Sequence, residues 1–298
     1  MRYSLFIIFA LTLVVNIASA TAQPHPGAMS LDAQGRAEML AMQGRFEDSV
    51  KAYMKLVEEP NASSSLVRGL VKASAGGGFL KPTRAFLETR LQSSPSPILF
   101  GIGLSFYYEG NFDAAEDRLR RSIREDSKNS LALNALGATL ARKGRFDEGE
   151  TLVRRAMEID PSDILYYNNL LGLLNERGQG ERFRQEYQES LENGRKEKAA
   201  LYGRALARSL RQDGFRSYEA GDIEGTIEAF MKIAEINTAT GNTPGRVQAL
   251  FSLGVLYEET GDVEKAQSYY DEVLRINPEH IQAREKSKVG QGGALEVR

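Results

Sequence analysis

The chain has 298 residues, a formal charge of −2, 42% hydrophobic residues and 26% charged ones, the profile of a folded protein large enough for two compact domains or one extended array. Cysteine and tryptophan are both absent. Without cysteine there is no disulfide, zinc–thiolate site, iron–sulfur cluster or cysteine nucleophile, and no lipid attached through an N-terminal cysteine.

The first twenty residues carry Arg2, an apolar run from Leu5 to Val15, and then Ala18-Ser19-Ala20. That order of a basic start, an apolar middle and a small-residue end is the pattern of a secretory signal peptide, here residues 1–20. The apolar run falls short of the roughly 20 residues that a membrane-spanning helix needs. Cleavage after Ala20 or Ala22 would leave a periplasmic or secreted chain with no stable membrane span, beginning with a disordered linker over 21–30.

Beyond the linker, a glycine followed two residues later by an apolar residue recurs at Gly44, Gly78, Gly110, Gly144, Gly221 and Gly261, and less clearly at Gly178. The spacings are 34, 32, 34, 34, 43 and 40 residues. Around Gly144 the pattern reads as two antiparallel helices. Leu133, Leu136, Gly137 and Leu140 fall at i, i+3, i+4 and i+7, one face of a first helix. Gly144 suits the left-handed position that closes it. Asp147 and Glu148 then occupy the first turn of a second helix, where the positive end of the dipole favours them. That helix presents Leu152, Val153, Ala156 and Met157 to its partner, and Pro161 ends it. Gly137 and Gly149 are small enough to let the two helices approach closely.

This pattern resembles the tetratricopeptide repeat family, whose units are 34-residue helix pairs. Leu250, Leu253, Gly254, Tyr257, Ala266, Tyr270, Val273 and Pro278 match it almost throughout. Leu99, Ile102, Gly103, Phe106, Ala115, Leu119 and Ser122 match nearly as well, with Ser127 in place of the proline. Leu210, Gly214, Phe230, Ile233 and Ile236 give a fair copy, and Ser49, Tyr53 and Pro60 mark the first unit. Residues 164–193 are weaker, with Phe183 where a small residue is usual. Residues 64–97 are degenerate: Gly76-Gly77-Gly78 reads as a flexible connection, and Pro82 falls where a second helix should begin.

The resemblance implies an all-α fold, a right-handed α-solenoid of about seven antiparallel helix pairs with a C-terminal capping helix. Units one to five occupy 31–193. Residues 194–289 hold an extended helix, beginning with 195–212, units six and seven, and the cap. Residues 238–246 read as a loop, and 290–298 as a disordered tail.

Signals for catalysis are few. The two histidines, His25 and His280, are too far apart in sequence and too differently placed to preorganise a metal site, and neither has a nucleophile beside it. Gly101-Ile102-Gly103 begins like a dinucleotide fingerprint, but Phe106 replaces the third glycine and no strand precedes it, so these small residues read as a helix–helix contact. The chain is therefore expected to be no enzyme and to need no cofactor.

In the resembled family a partner is held on the concave surface, by first-helix positions facing away from the second helix. Carried onto this sequence, these are Phe100, Leu104, Tyr107 and Tyr108, then Asn134, Ala138 and Arg142, then Asn168 and Asn175, then Arg211, Phe215 and Tyr218. Asn134 and Asn168 lie one period apart, and their amides could grip the backbone of an extended peptide. Tyr107 and Tyr108 are of the residue type enriched in binding hot spots. Residues 118–211 hold 19 Lys and Arg against 14 Asp and Glu, whereas 212–298 hold 9 against 15. Arg120, Arg121, Arg154 and Arg155 are expected to face outward from second helices. The function these features imply is an exported adaptor that binds a peptide segment or partner protein, in envelope assembly, secretion or polysaccharide export, and not nucleic acid. The alternative is a structural subunit that associates through its convex face; an enzyme with an unrecognised site is a third and weaker reading.

Overall fold

The computed structural model describes residues 32–93 and 95–293, with side chains as far as residue 287. The expected signal peptide, the linker, His25 and residues 294–298 lie outside the described residues, whereas 290–293, expected to begin a disordered tail, belong to the last helix. Every element among those residues is a helix, fifteen in all. They divide into two compact units, one ending at Leu173 and the other beginning at Leu174.

The first unit is a stack of helix pairs: α1 (Ala33–Met42) with α2 (Phe46–Glu58), α3 (Ser64–Gly77) with α4 (Leu80–Glu88), α5 (Pro95–Tyr108) with α6 (Phe112–Glu125), and α7 (Ser130–Arg142) with α8 (Phe146–Ile159). It closes on α9 (Ile164–Glu176), which runs into the second unit. The helices start and stop for local reasons. Asn111 and Asn129 cap α6 and α7 by accepting from the amides of Ala114 (3.2 Å) and Ala132 (3.1 Å). The recurring glycines of the repeat frame, from Gly44 to Gly261, all adopt positive φ, between 69° and 82°, at the turn inside each pair.

Burial follows the repeat. Leu133, Leu136 and Leu140 of α7 and Val153 and Ala156 of α8 are all 2% exposed or less, and each fully buried Leu or Val stabilises the fold by roughly 1.5–3 kcal/mol. Gly137 and Gly149 face one another: a Cβ on either would lie 2.8 Å from the other's carbonyl oxygen. Gly103 plays the same part against Leu119, whose Cγ would lie 2.7 Å from an added Cβ. The Gly-Ile-Gly stretch is thus a packing device, as the missing third glycine implied.

Two expectations about the first unit need correction or refinement. Residues 64–97 do form a helix pair, with Pro82 in the first turn of α4, where a missing amide costs least. Gly76 and Gly77, however, are not a flexible connection. They are the last two residues of α3, and a Cβ on Gly76 would lie 2.6 Å from Phe46 Cε1. The glycines are there because the phenylalanine ring of the preceding pair lies against the helix.

The second unit contains α10 (Gly180–Glu192), α11 (Lys196–Glu219), α12 (Ile223–Ala239), α13 (Thr243–Glu259), α14 (Val263–Ile276) and α15 (Ile281–Gly293), each packed on the next from α10 onward. The extended helix foreseen from residue 195 is α11, 24 residues long. The loop foreseen over 238–246 is not present. α12 and α13 run into that stretch from both sides and leave a turn at 240–242. Thr238 folds its hydroxyl back onto Ala234 O (2.8 Å), Gly241 takes φ 68°, and Asn242 caps α13, whose first turn accommodates Pro244. The extra residues of the long periods therefore lengthen helices.

Candidate functional site

On the first unit, the first helices α3, α5, α7 and α9 contribute one face, and its floor is polar. Asn129 Nδ2 donates to Ser64 Oγ (2.9 Å) and Ser96 Oγ (3.0 Å), drawing together the N-terminal ends of α3, α5 and α7. Tyr166 donates to Ser130 Oγ (3.0 Å), and the Arg68 guanidinium of α3 pairs with the Asp163 carboxylate at the start of α9. The Arg68 and Asp163 side chains are 26% and 15% exposed, so this pair is shielded from bulk water.

At the opposite, C-terminal ends of α5 and α7 stands an aromatic and cationic cluster. Tyr107 meets Tyr108 edge-on (5.9 Å between centroids, 72°) and Phe112 edge-on (5.8 Å, 61°). From the next helix pair, the Arg142 guanidinium sits 5.4 Å over the Phe112 ring, an arrangement in which the ring face attracts the cation. Tyr108 is 45% exposed, an unusual position for a large amphipathic ring. Partial burial pushes the Tyr108 phenol up, Tyr107 adds to this, and Arg68 opposes it. The turn that presents these rings is fixed by Gly110, at φ 78°, and by the Asn111 cap.

Three of the expected groove residues, Tyr107, Tyr108 and Arg142, are brought together here. Ala138 and Asn168 lie half-buried on the same helix faces. Phe100, Leu104 and Asn134 do not line an open surface: they are 1%, 9% and 2% exposed. α5 is packed against α3, α4, α6 and α7, so its apolar side chains are covered nearly all round. Asn134 is also not the free partner of Asn168 that the 34-residue spacing suggested. Its Oδ1 accepts from Asn169 Nδ2 (3.0 Å), and the pair serves packing between α7 and α9.

Within the second unit, Asn175 is exposed, but its Oδ1 occupies the space beside Gly180 Cα, where a side chain would begin. Phe215 packs edge-on against Phe230 (6.3 Å, 73°), and Tyr218 donates to Glu259 Oε2 (3.2 Å). Arg211 is half-buried, and burial pulls its guanidinium pKa down.

The outward arginines of the first unit are less available than their number suggests. Arg120 pairs with Glu116 (2.8 Å), Arg154 with Glu150 (2.9 Å), and Arg155 Nη2 donates to Ser127 O (3.0 Å). Lys143 (2.8 Å) and Arg145 (2.7 Å) join Arg120 on Glu116. Burial alone would raise the Glu116 carboxyl, but these three hydrogen bonds outweigh it and hold it at about 2.

The sequence did not single out Arg68, Asp163, Tyr166 or Asn169. Their partners lie 35 to 95 residues away, and repeat spacing says nothing about such pairs. The one available signal was Arg68 itself, a charge set among small and apolar residues in Ser64–Gly77. His280 is structural: its Nδ1 accepts from the Ala283 amide (3.2 Å), its ring lies 4.9 Å from that of Phe251, and burial pulls its pKa down. Among the described residues no group of three or more His, Asp or Glu is placed to hold a metal, and no helix is long and apolar enough to cross a membrane.

Family models for the tetratricopeptide repeat match residues 100–164 and 247–280. A TPR repeat-containing protein of Methanocaldococcus jannaschii is 31% identical over 97 residues, which are 33% of this chain and 16% of that protein. The match thus spans about a sixth of that relative's length. Among solved structures, the C-terminal part of a TPR repeat-containing protein from Cytophaga hutchinsonii aligns over 85% of this chain and 98% of its own, at 12% identity and a TM-score of 0.40. The human IFIT1 dimer with PPP-AAAA aligns over 82% of this chain and 64% of its own, at 14% identity and a TM-score of 0.49.

Proposed function

We propose that this chain is an exported, noncatalytic adaptor that holds a peptide segment or a partner protein against the first-helix face of its repeats, in envelope assembly, secretion or polysaccharide export. Tetratricopeptide repeats are detected in both units, and stacked repeats of this kind present extended binding surfaces. The observation that carries the reading is the cluster of Tyr107, Tyr108, Phe112 and Arg142. Tyrosine and arginine dominate binding hot spots because each combines a large apolar contact with a directed polar end. Export is supported by the N-terminal residue pattern. The competing reading, association through the outward basic face, is weakened because Arg120 and Arg154 already face carboxylates.

Photocrosslinking tests the adaptor reading. With p-benzoylphenylalanine at position 108, crosslinks to discrete polypeptides are expected in the extracytoplasmic fraction of the source cells. With the same probe at position 124, an exposed site on α6, they are not. Equal labelling from both positions, or none from 108, would overturn it.

A further inference from the structure

On α11, Arg204, Arg208, Arg211, Phe215 and Tyr218 are spaced by four, three, four and three residues. At about 100° per residue they fall on one stripe of the helix, and at about 1.5 Å per residue the stripe is about 21 Å long. Arg204 and Arg208 are exposed; Arg211, Phe215 and Tyr218 are half-buried. None of the three arginines makes an ion pair or a side-chain hydrogen bond among the described residues, whereas Arg216 on the same helix pairs with Asp213. Burial pulls on the Arg211 guanidinium with no carboxylate to offset it. Three consecutive turns thus present unpaired guanidinium groups, and the next two present aromatic rings.

We propose that this stripe is a docking site for an extended acidic peptide segment whose carboxylates meet Arg204, Arg208 and Arg211 and whose following apolar side chains meet Phe215 and Tyr218. The proposal rests on the adaptor reading and names the chemistry of the partner. Neighbouring arginines stand about 4.5–6 Å apart along the axis, and alternate side chains of an extended peptide stand about 6.6 Å apart on one side. Three acids at alternate positions over five residues therefore match the arginines, and two apolar residues that continue the alternation reach the rings. Each guanidinium can take a carboxylate through two parallel hydrogen bonds. The order of the peptide is fixed at the aromatic end, where Glu259 accepts from Tyr218 and would repel a further acid.

A polyanion fits less well. Residues 174–298 hold 18 Lys and Arg against 21 Asp and Glu, so the second unit offers no broad positive field for a chain of phosphates, whose binding depends on neutralisation along its length, whereas a three-acid segment needs only the three local arginines. The aromatic rings also stand at one end of the stripe, whereas a single-stranded nucleic acid needs stacking surfaces along its track.

The test is fluorescence anisotropy of the full chain with a labelled twelve-residue peptide carrying Glu-Ser-Glu-Ser-Glu followed, after one residue, by Leu-Ser-Phe, which sets all three acids and both apolar side chains on one side of the extended chain. Saturable binding is expected. It should weaken at least tenfold in the Arg208→Gln, Arg211→Gln double variant and fall away for the peptide with Gln in place of Glu. It should persist in Arg275→Gln, which removes an exposed charge from α14. Circular dichroism confirms that each variant is folded. Binding that survives the double variant, equal binding of the Gln peptide, no binding at all, or tighter binding of a twelve-nucleotide single strand would each overturn the proposal. If crosslinking at position 108 succeeds while the acidic peptide fails, the partner chemistry is wrong and the adaptor reading stands; the reverse result sinks that reading and leaves the arginine stripe.

Discussion

One added methyl group at Gly137 probes the contact on which the α7–α8 pair depends. An alanine Cβ there would stand 2.7 Å from Val153 Cγ2, 2.8 Å from Gly149 O and 3.3 Å from Val153 N. Two of those three atoms belong to the backbone of α8, so relief requires moving a helix rather than turning a side chain. Overpacking of this kind costs about 1–3 kcal/mol, and backbone neighbours put the cost near the top of that range. Alanine returns about 1 kcal/mol of helix propensity, leaving a net loss of about 2 kcal/mol. In a domain of this size that lowers the melting temperature by about 4–8 °C. Gly172, exposed within α9 with nothing inside 4 Å of an added Cβ, has only the propensity term, so Gly172→Ala should raise Tm by about 2–4 °C. Thermal unfolding followed by circular dichroism at 222 nm reads both. If Gly137→Ala melts no lower than the parent, or Gly172→Ala falls as far, the close approach does not govern the pair.

Arg68→Met and Asp163→Asn should each cost about 1–3 kcal/mol in urea unfolding, because each leaves a shielded charge or dipole unpaired. The double variant should lose less than their sum, and strict additivity would count against the pairing. Glu116 gives a pH signature. Its carboxyl is held at about 2 in the fold against an ordinary 4.5, so its contribution is complete above about pH 4.5 and disappears as pH falls towards 2. The stability lost between pH 6 and pH 3 should therefore be smaller in Glu116→Gln than in the parent, and an unchanged loss would refute the linkage. Asn134→Ala should lower stability by about 1–3 kcal/mol by leaving Asn169 without its acceptor while crosslinking at position 108 persists; loss of crosslinking in the folded variant would restore Asn134 as a contact residue.

The helix pairs were legible because their determinants are local. A left-handed glycine, a cap and an apolar period each act within one turn, and the 34-residue recurrence of Gly110, Gly144 and Gly178 made them visible together. The stretch over 238–246 was misread because Thr, Gly, Asn and Pro form loops when uncapped, whereas here Asn242 and Pro244 start a helix. For the site, the repeat frame assigned helix faces but not depth. It placed Tyr107, Tyr108 and Arg142 on first helices, and the structure puts them at the C-terminal ends of α5 and α7. It could not tell that α5 is enclosed by four helices, which buries Phe100 and Leu104. It also missed Asn169 and Asp163, because their roles depend on how far successive pairs curve toward one another, a property that no single repeat encodes.

The link between Arg68 and Asp163 alters how the first unit comes apart. A stack whose contacts all run between adjacent helices can fold from any point and fray one pair at a time from its ends. Here side chains 95 residues apart are joined, with Asn129 and Ser64 joined across 65. Closing such long loops slows assembly, but once they are closed the helices of the first unit from α3 to α9 open as a single block. Amide hydrogens of α3 and α9 should then exchange at matched rates despite lying at opposite ends of that block, and a protease should meet an all-or-none barrier there instead of a gradual unwinding.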